Sequence, residues 1–212
     1  MGVAPHCRTA GVCPESLPAV IRVAVIDDHH AIRLGLRAAL LSEPGLEPVG
    51  SAATAAESAV LLYRTRPDVV LVDYHLPGSD GLTLCRRIKS DVLAPAVVLY
   101  SAFADPSMTV PAIVAGVDAI VHKGGQTRDL FDAIRRTARG ESSLPEISEP
   151  LLEAAGHALG ADDLPLLGML IHRTAPAEIA ATLRIERGEL DRRIATMLDR
   201  LKAPVPASSA QD

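Results

Sequence analysis

Aromatic residues make up only 2% of the 212-residue chain, and tryptophan is absent. Any core must be aliphatic, and a hydrophobic content of 48% supplies it. Cysteine is scarce as well. Cys7, Cys13 and Cys85 are unevenly spaced, which excludes a disulfide framework and suits the cytoplasm. His6, Cys7 and Cys13 lack the second Cys/His pair that a structural zinc site needs. No apolar run approaches the length that crosses a bilayer, so no membrane partner is expected. Residues 1–20 carry Pro5, Pro14 and Pro18 but no basic start followed by an apolar stretch; they read as a disordered leader, not a secretion signal. Positive charge is not in excess either. The formal net charge is −5, which gives no general attraction to nucleic acid or acidic lipid.

What is present is a set of short apolar runs that end on chemistry. Val69 to Val72 is aliphatic throughout, as in a strand buried on both faces, and Asp73 follows it directly. Arg22 to Ile26 leads into the acids Asp27 and Asp28. Ala96 to Tyr100 ends on Ser101, and Ala119 to His122 on Lys123. In a parallel sheet these four tips share one edge, so three carboxylates, a hydroxyl and an ammonium converge. Such a carboxylate cluster is costly unless a cation sits in it, and hard oxygen ligands suit Mg²⁺.

Helical patterns separate the strands. Ala31 to Leu41 places Ile32, Leu36 and Leu40 on one face. Thr54 and Glu57 have capping-box spacing for a helix that runs to about Thr65. Further helices are expected from Leu82 to Lys89, from Asp105 or Ser107 to Gly116, and from Thr127 to Gly140. Pro77, Gly78 and Gly81 form a loop after Asp73. Five βα alternations predict a doubly wound, five-stranded parallel sheet of order 2-1-3-4-5. A flavodoxin-like nucleotide binder would need a Gly-rich loop after the first strand. Asp27-Asp28-His29-His30 stands there instead.

The order acid pair, Asp-x-x-Leu-Pro-x-x-x-Gly, Ser, Lys resembles the receiver domain of bacterial two-component response regulators, over about residues 21–141. The resemblance implies a CheY-like fold and transfer of a phosphoryl group from a histidine kinase to Asp73. It implies Mg²⁺ held by Asp28, Asp73 and the backbone carbonyl of His75, with Asp27 acting through water. Lys123 would place its charge on the phosphoryl oxygens, and Ser101 would hydrogen-bond the group once attached. Family members couple this hydroxyl to an aromatic residue three positions before the Lys. Here that residue is Ile120, so no ring can rotate inward. His75 and Phe103 flank the site, where their bulk would control access of hydrolytic water.

Residues 142–158 read as a linker with a helix at Leu151 to His157. Residues 159–202 resemble the LuxR-type helix-turn-helix of the NarL/FixJ subfamily, a small all-α unit, on Glu178-Ile179-Ala180, Leu183, Ile185, Leu190, Ile194, Leu198 and Leu201. Helices are expected at Leu164 to Ile171 and Ala177 to Leu183, then a long third one; residues 203–212 read as a loose tail. The resemblance implies a homodimer that binds DNA through Arg187, Arg192 and Arg193. The surface fits less well. Glu186, Glu189 and Asp191 stand where the family carries Ser or Thr, Thr and Lys. From Asp162 to Lys202 seven basic residues meet seven acids, without a basic footprint. Two readings follow: a phosphorylation-controlled transcription regulator, or an atypical regulator whose helical domain binds a protein. A free-standing hydrolase lacks a second acid/base pair.

Overall fold

A computed structural model describes residues 20–91, 93–102 and 105–202. Phe103, the tail and the leader up to residue 19 lie outside the described residues. The elements alternate: β1 (Ile21–Ile26), α1 (His30–Ser42), β2 (Leu46–Ala52), α2 (Ala55–Thr65) and β3 (Val69–Val72). Next come β4 (His75–Leu76), β5 (Ser79–Asp80), α3 (Gly81–Lys89), β6 (Ala96–Ser101), α4 (Thr109–Ala115), β7 (Ala119–His122) and α5 (Thr127–Ala138). Four further α-helices follow among the described residues: α6 (Glu149–Ala158), α7 (Leu164–Ile171), α8 (Pro176–Leu183) and α9 (Arg187–Lys202). Helix ends fall within a residue or two of the sequence expectation, as fraying ends do.

The five-stranded sheet has the order β2-β1-β3-β6-β7, and every pair is parallel. The two small strands β4 and β5 do not join it, so this is the expected 2-1-3-4-5 arrangement. Alternation along β3 explains its unbroken apolar run. Val69 and Leu71 face one core with Leu36, Leu40, Leu130 and Ile134 of α1 and α5. Val70 and Val72 face the other, with Leu82, Cys85 and Ile88 of α3 and Val110 of α4. At α2, the Thr54 hydroxyl accepts from the Glu57 amide at 3.2 Å, and Glu57 reaches back to the Ala53 amide at 2.9 Å.

Two features depart from the sequence reading. The segment after Asp73 is not a plain loop. His75 and Asp80 pair, as do Leu76 and Ser79, in a two-stranded hairpin turned by Pro77 and Gly78, with φ +71° at Gly78. The linker is also built into the fold: Ser143 bridges Ala119 at the sheet edge, and Ala155 of α6 is buried.

The helical unit does not stand apart. Leu166, Leu167, Ile179, Leu190, Ile194, Met197 and Leu198 belong to the same buried cluster as Val110, Ala112 and Val114 of α4. One layer, α3 and α4, therefore serves both the sheet and the helical unit. Charged pairs surround this seam. Arg86 of α3 pairs with Asp191 of α9. Lys202 Nζ lies 2.9 Å from Asp80 Oδ2. Arg173 donates to Asp118 at 3.3 Å and to the Ser142 hydroxyl at 2.6 Å.

Candidate phosphoryl site

The carboxyl edge of the parallel sheet is where open α/β folds keep their crevices, and the residues singled out from sequence meet there. Asp27 follows β1 and is 1% exposed; Asp73 follows β3 and is 4% exposed. Ser101 ends β6 and is fully buried. Lys123 follows β7 and crosses to both buried acids, with Nζ 2.7 Å from Asp27 Oδ2 and 2.8 Å from Asp73 Oδ2. This excludes a snorkelling surface lysine. Burial pulls the Lys123 pKa down, but hydrogen bonds and charge from Asp27 and Asp73 outweigh it and hold it above the usual lysine value.

Ligand atoms of Asp27, Asp28, His29 and Asp73 all lie within 4.8 Å of one another, so one cation can be shared among them. Two supporting residues are not among those singled out from sequence. The His29 amide donates to Asp27 Oδ1 at 2.8 Å, and its ring Nδ1 lies 2.6 Å from Asp28 Oδ1. The Arg33 guanidinium reaches back from the first turn of α1 to the carbonyls of Asp27 at 2.6 Å and Asp28 at 3.0 Å. It fixes the backbone from which both acids project. Its signal is only its place six residues after Asp27, which brings it back over the loop.

His75 is exposed beside the acids, and its ring packs edge-on against Tyr74 at 4.8 Å. An open pocket of ≈ 480 Å³ runs from Asp28 past Tyr74 and His75 to Asp80. Gly81 is required by close approach: a Cβ there would sit 2.1 Å from the Asp73 carbonyl oxygen. Ile120 lies half-buried on β7, in the position where the resemblance implies an aromatic ring. Cys85, the described thiol, is fully buried, and burial pushes its pKa up, so it offers no competing nucleophile.

Arg187, Arg192 and Arg193 of α9 are not gathered on one open face. Arg187 pairs with Asp191 at 3.2 Å and donates to the Ser90 carbonyl of the sheet domain at 3.3 Å. Arg193 is held by the Asp162 carbonyl at 2.7 Å and by Asp163 at 3.2 Å. Arg192 is exposed and paired with Glu189 at 2.5 Å. Glu189 and Asp191, the acids that fit DNA poorly, thus have partners within the chain.

The sheet, its crevice and the acid–lysine constellation define a receiver. The family model for the response regulator receiver domain matches residues 23–135, and the chain belongs to the response regulators of two-component signalling. It is 32% identical over 147 residues to the transcriptional regulatory protein LiaR of Bacillus subtilis, covering 69% of each chain. It is 32% identical over 128 residues to the response regulator protein VraR of Staphylococcus aureus, spanning 60% of this chain and 61% of VraR. Its fold over 88% of the chain is similar to that of RcsB from Salmonella enterica serovar Typhimurium, solved bound to the promoter P1flhDC with the phosphomimetic BeF₃⁻. The TM-score is 0.57, the identity 21%, and 94% of RcsB is covered. No described helix is long and apolar enough to cross a membrane.

Proposed function

We propose that Asp73 accepts a phosphoryl group from a histidine kinase with the aid of Mg²⁺, and that this controls DNA binding by the helical unit. The observation that carries the reading is the placement of Lys123 Nζ between Asp27 and Asp73. Asp27, Asp28 and Asp73 against one ammonium leave a local charge suited to one divalent cation. Asp28, Asp73 and the His75 carbonyl would hold Mg²⁺ directly, and Asp27 through water. When bound, the ion neutralises phosphoryl oxygens and helps fix the group in line for transfer.

The chain's own residues do the rest. An oxygen of Asp73 attacks the phosphorus of a phosphohistidine. The P–O bond forms as the P–N bond breaks, leaving an acyl phosphate on Asp73 and the imidazole on the kinase. Lys123 stays charged and turns to the phosphoryl oxygens. Ser101 donates its hydroxyl to the attached group, and Arg33 keeps the acid pair in place.

In the docked form the face of α9 bearing Arg187 is turned to the sheet domain, so DNA binding requires release of the helical unit. Arg187, Arg192 and Arg193 then reach phosphates or base edges, in a homodimer, to regulate transcription. LiaR, a relative named as a transcriptional regulatory protein, and the promoter-bound RcsB support this reading. The test is a salt-dependent mobility shift on DNA from the protein's own promoter region, with and without acetyl phosphate. Retarded DNA that appears with phosphoryl donor and fades with salt supports the reading; equal mobility under all conditions contradicts it.

A further inference from the structure

The ring that carries the signal in the family is replaced here by Ile120, and the fold offers a second connection between the phosphoryl site and the helical unit. It starts at His75, whose carbonyl stands at the cation site on the reading above. His75 pairs with Asp80 across the hairpin. The Gly81 amide donates to the Tyr74 carbonyl at 2.6 Å, and the Gly81 backbone lies so close to the Asp73 carbonyl that no side chain fits between them. The path from Asp73 and His75 to Asp80 therefore has no slack. A short, hydrogen-bonded hairpin moves as a unit when one strand is pulled.

Asp80 is where this unit meets α9. Its Oδ1 caps α3 by accepting from the Thr83 amide at 2.8 Å. Its Oδ2 accepts from the Thr83 hydroxyl at 2.8 Å and from Lys202 Nζ at 2.9 Å. Lys202 also donates to the Thr83 hydroxyl at 2.9 Å and pairs with Asp199 at 3.0 Å. The ammonium, the last described group of α9, is thus seated in a nest of oxygens on the receiver's first α3 turn. Both side chains are sheltered, Lys202 at 17% and Asp80 at 34% exposure.

We propose that the hairpin from His75 to Asp80 and the Asp80–Lys202 ion pair form a relay that joins cation and phosphoryl loading to release of α9. Loading draws the His75 carbonyl toward the cation, the hairpin shifts, and the Asp80 carboxylate leaves Lys202. The proposal rests on the phosphoryl-site reading. It has a consequence that a merely structural ion pair does not. Coupling between two sites is reciprocal, so breaking the pair at α9 must strengthen binding at the acid cluster.

The test measures binding of beryllofluoride in saturating Mg²⁺ by isothermal titration calorimetry. Full-length wild type is compared with Lys202→Met, Asp80→Asn and the double variant. Asn keeps the α3 cap, and Lys202→Met leaves Asp80 in place, so a folding defect in one does not silence the other. Each single variant is expected to bind about two- to fivefold more tightly than wild type, the range a partly exposed ion pair can supply. The double variant is expected to bind no more tightly than the better single variant. Unchanged or weaker binding in both single variants, with wild type binding normally, overturns the relay alone. No binding by wild type overturns the phosphoryl-site reading and the relay with it.

Discussion

Arg86 on α3 and Asp191 on α9 form an ion pair across 105 residues of chain, joining the receiver to the helix expected to meet DNA. The pair accounts for an acid where a DNA-binding helix is expected to be basic. With Arg86 at 12% and Asp191 at 31% side-chain exposure, the site is partly shielded from solvent and salt.

Arg86→Ala should therefore loosen docking without unfolding either part. The expected cost to the docked state is about 1 kcal/mol, since part of the pair remains in contact with water. Limited proteolysis between residues 142 and 148 should become several-fold faster, and small-angle scattering should report a larger radius of gyration. Unchanged cleavage would mean that the apolar seam alone holds the parts together.

The apolar seam itself is expected to matter more. Ile194 is 1% exposed and shares a cluster with Val110 and Val114 of α4. Ile194→Ala removes buried methylenes and leaves a cavity, with an expected loss of about 2–5 kcal/mol in chemical denaturation. A loss below about 1 kcal/mol would show that the site collapses around the smaller residue.

The Gly81 position is predicted to be intolerant of any side chain. A Cβ would lie 2.1 Å from a backbone oxygen, Asp73 O, which cannot rotate away. Gly81→Ala should destabilise the fold by about 1–3 kcal/mol and abolish phosphoryl acceptance, because the strain falls on the backbone of Asp73. Normal phosphorylation of this variant would show that the loop can yield.

Docking should weaken at both pH extremes, with the apolar seam still holding the parts together. Burial raises the Asp80 pKa, but hydrogen bonds from Lys202 and Thr83 outweigh it and leave it below its ordinary 3.8. Its contribution is present above 3.8 and is lost as pH falls through the lowered value. Burial lowers the Lys202 pKa, but Asp80 and Asp199 outweigh that and leave it above 10.5. That contribution is complete below 10.5 and is lost as pH rises through the raised value. A pH series of scattering profiles should show a compact molecule between these limits, and Lys202→Met should remove the alkaline transition attributable to this residue.

The site was legible because its parts sit at strand tips. A short, mainly apolar run that stops on Asp27, Asp73, Ser101 or Lys123 announces both the strand and its functional end. The hairpin was not legible, since two strands of two residues each carry no periodicity. Nor was the docking seam. Arg86 and Asp191, or Asp80 and Lys202, are ordinary charges with no local pattern, and only the tertiary fold brings them together. Reading Asp191 against DNA alone made it a misfit; its partner lies on the other side of the molecule's own interface. Arg33 and His29 were missed for a related reason, because they act on the backbone and the second oxygen of acids that were already noticed.

The most direct measurement is the intact mass of the protein after incubation with Mg²⁺ and acetyl phosphate, beside Asp73→Asn treated the same way. Addition of one phosphoryl group to the wild type and none to the variant is the result predicted. No addition to the wild type, or equal addition to both, would contradict Asp73 as the acceptor, and with it the assigned roles of Lys123 and the acid cluster.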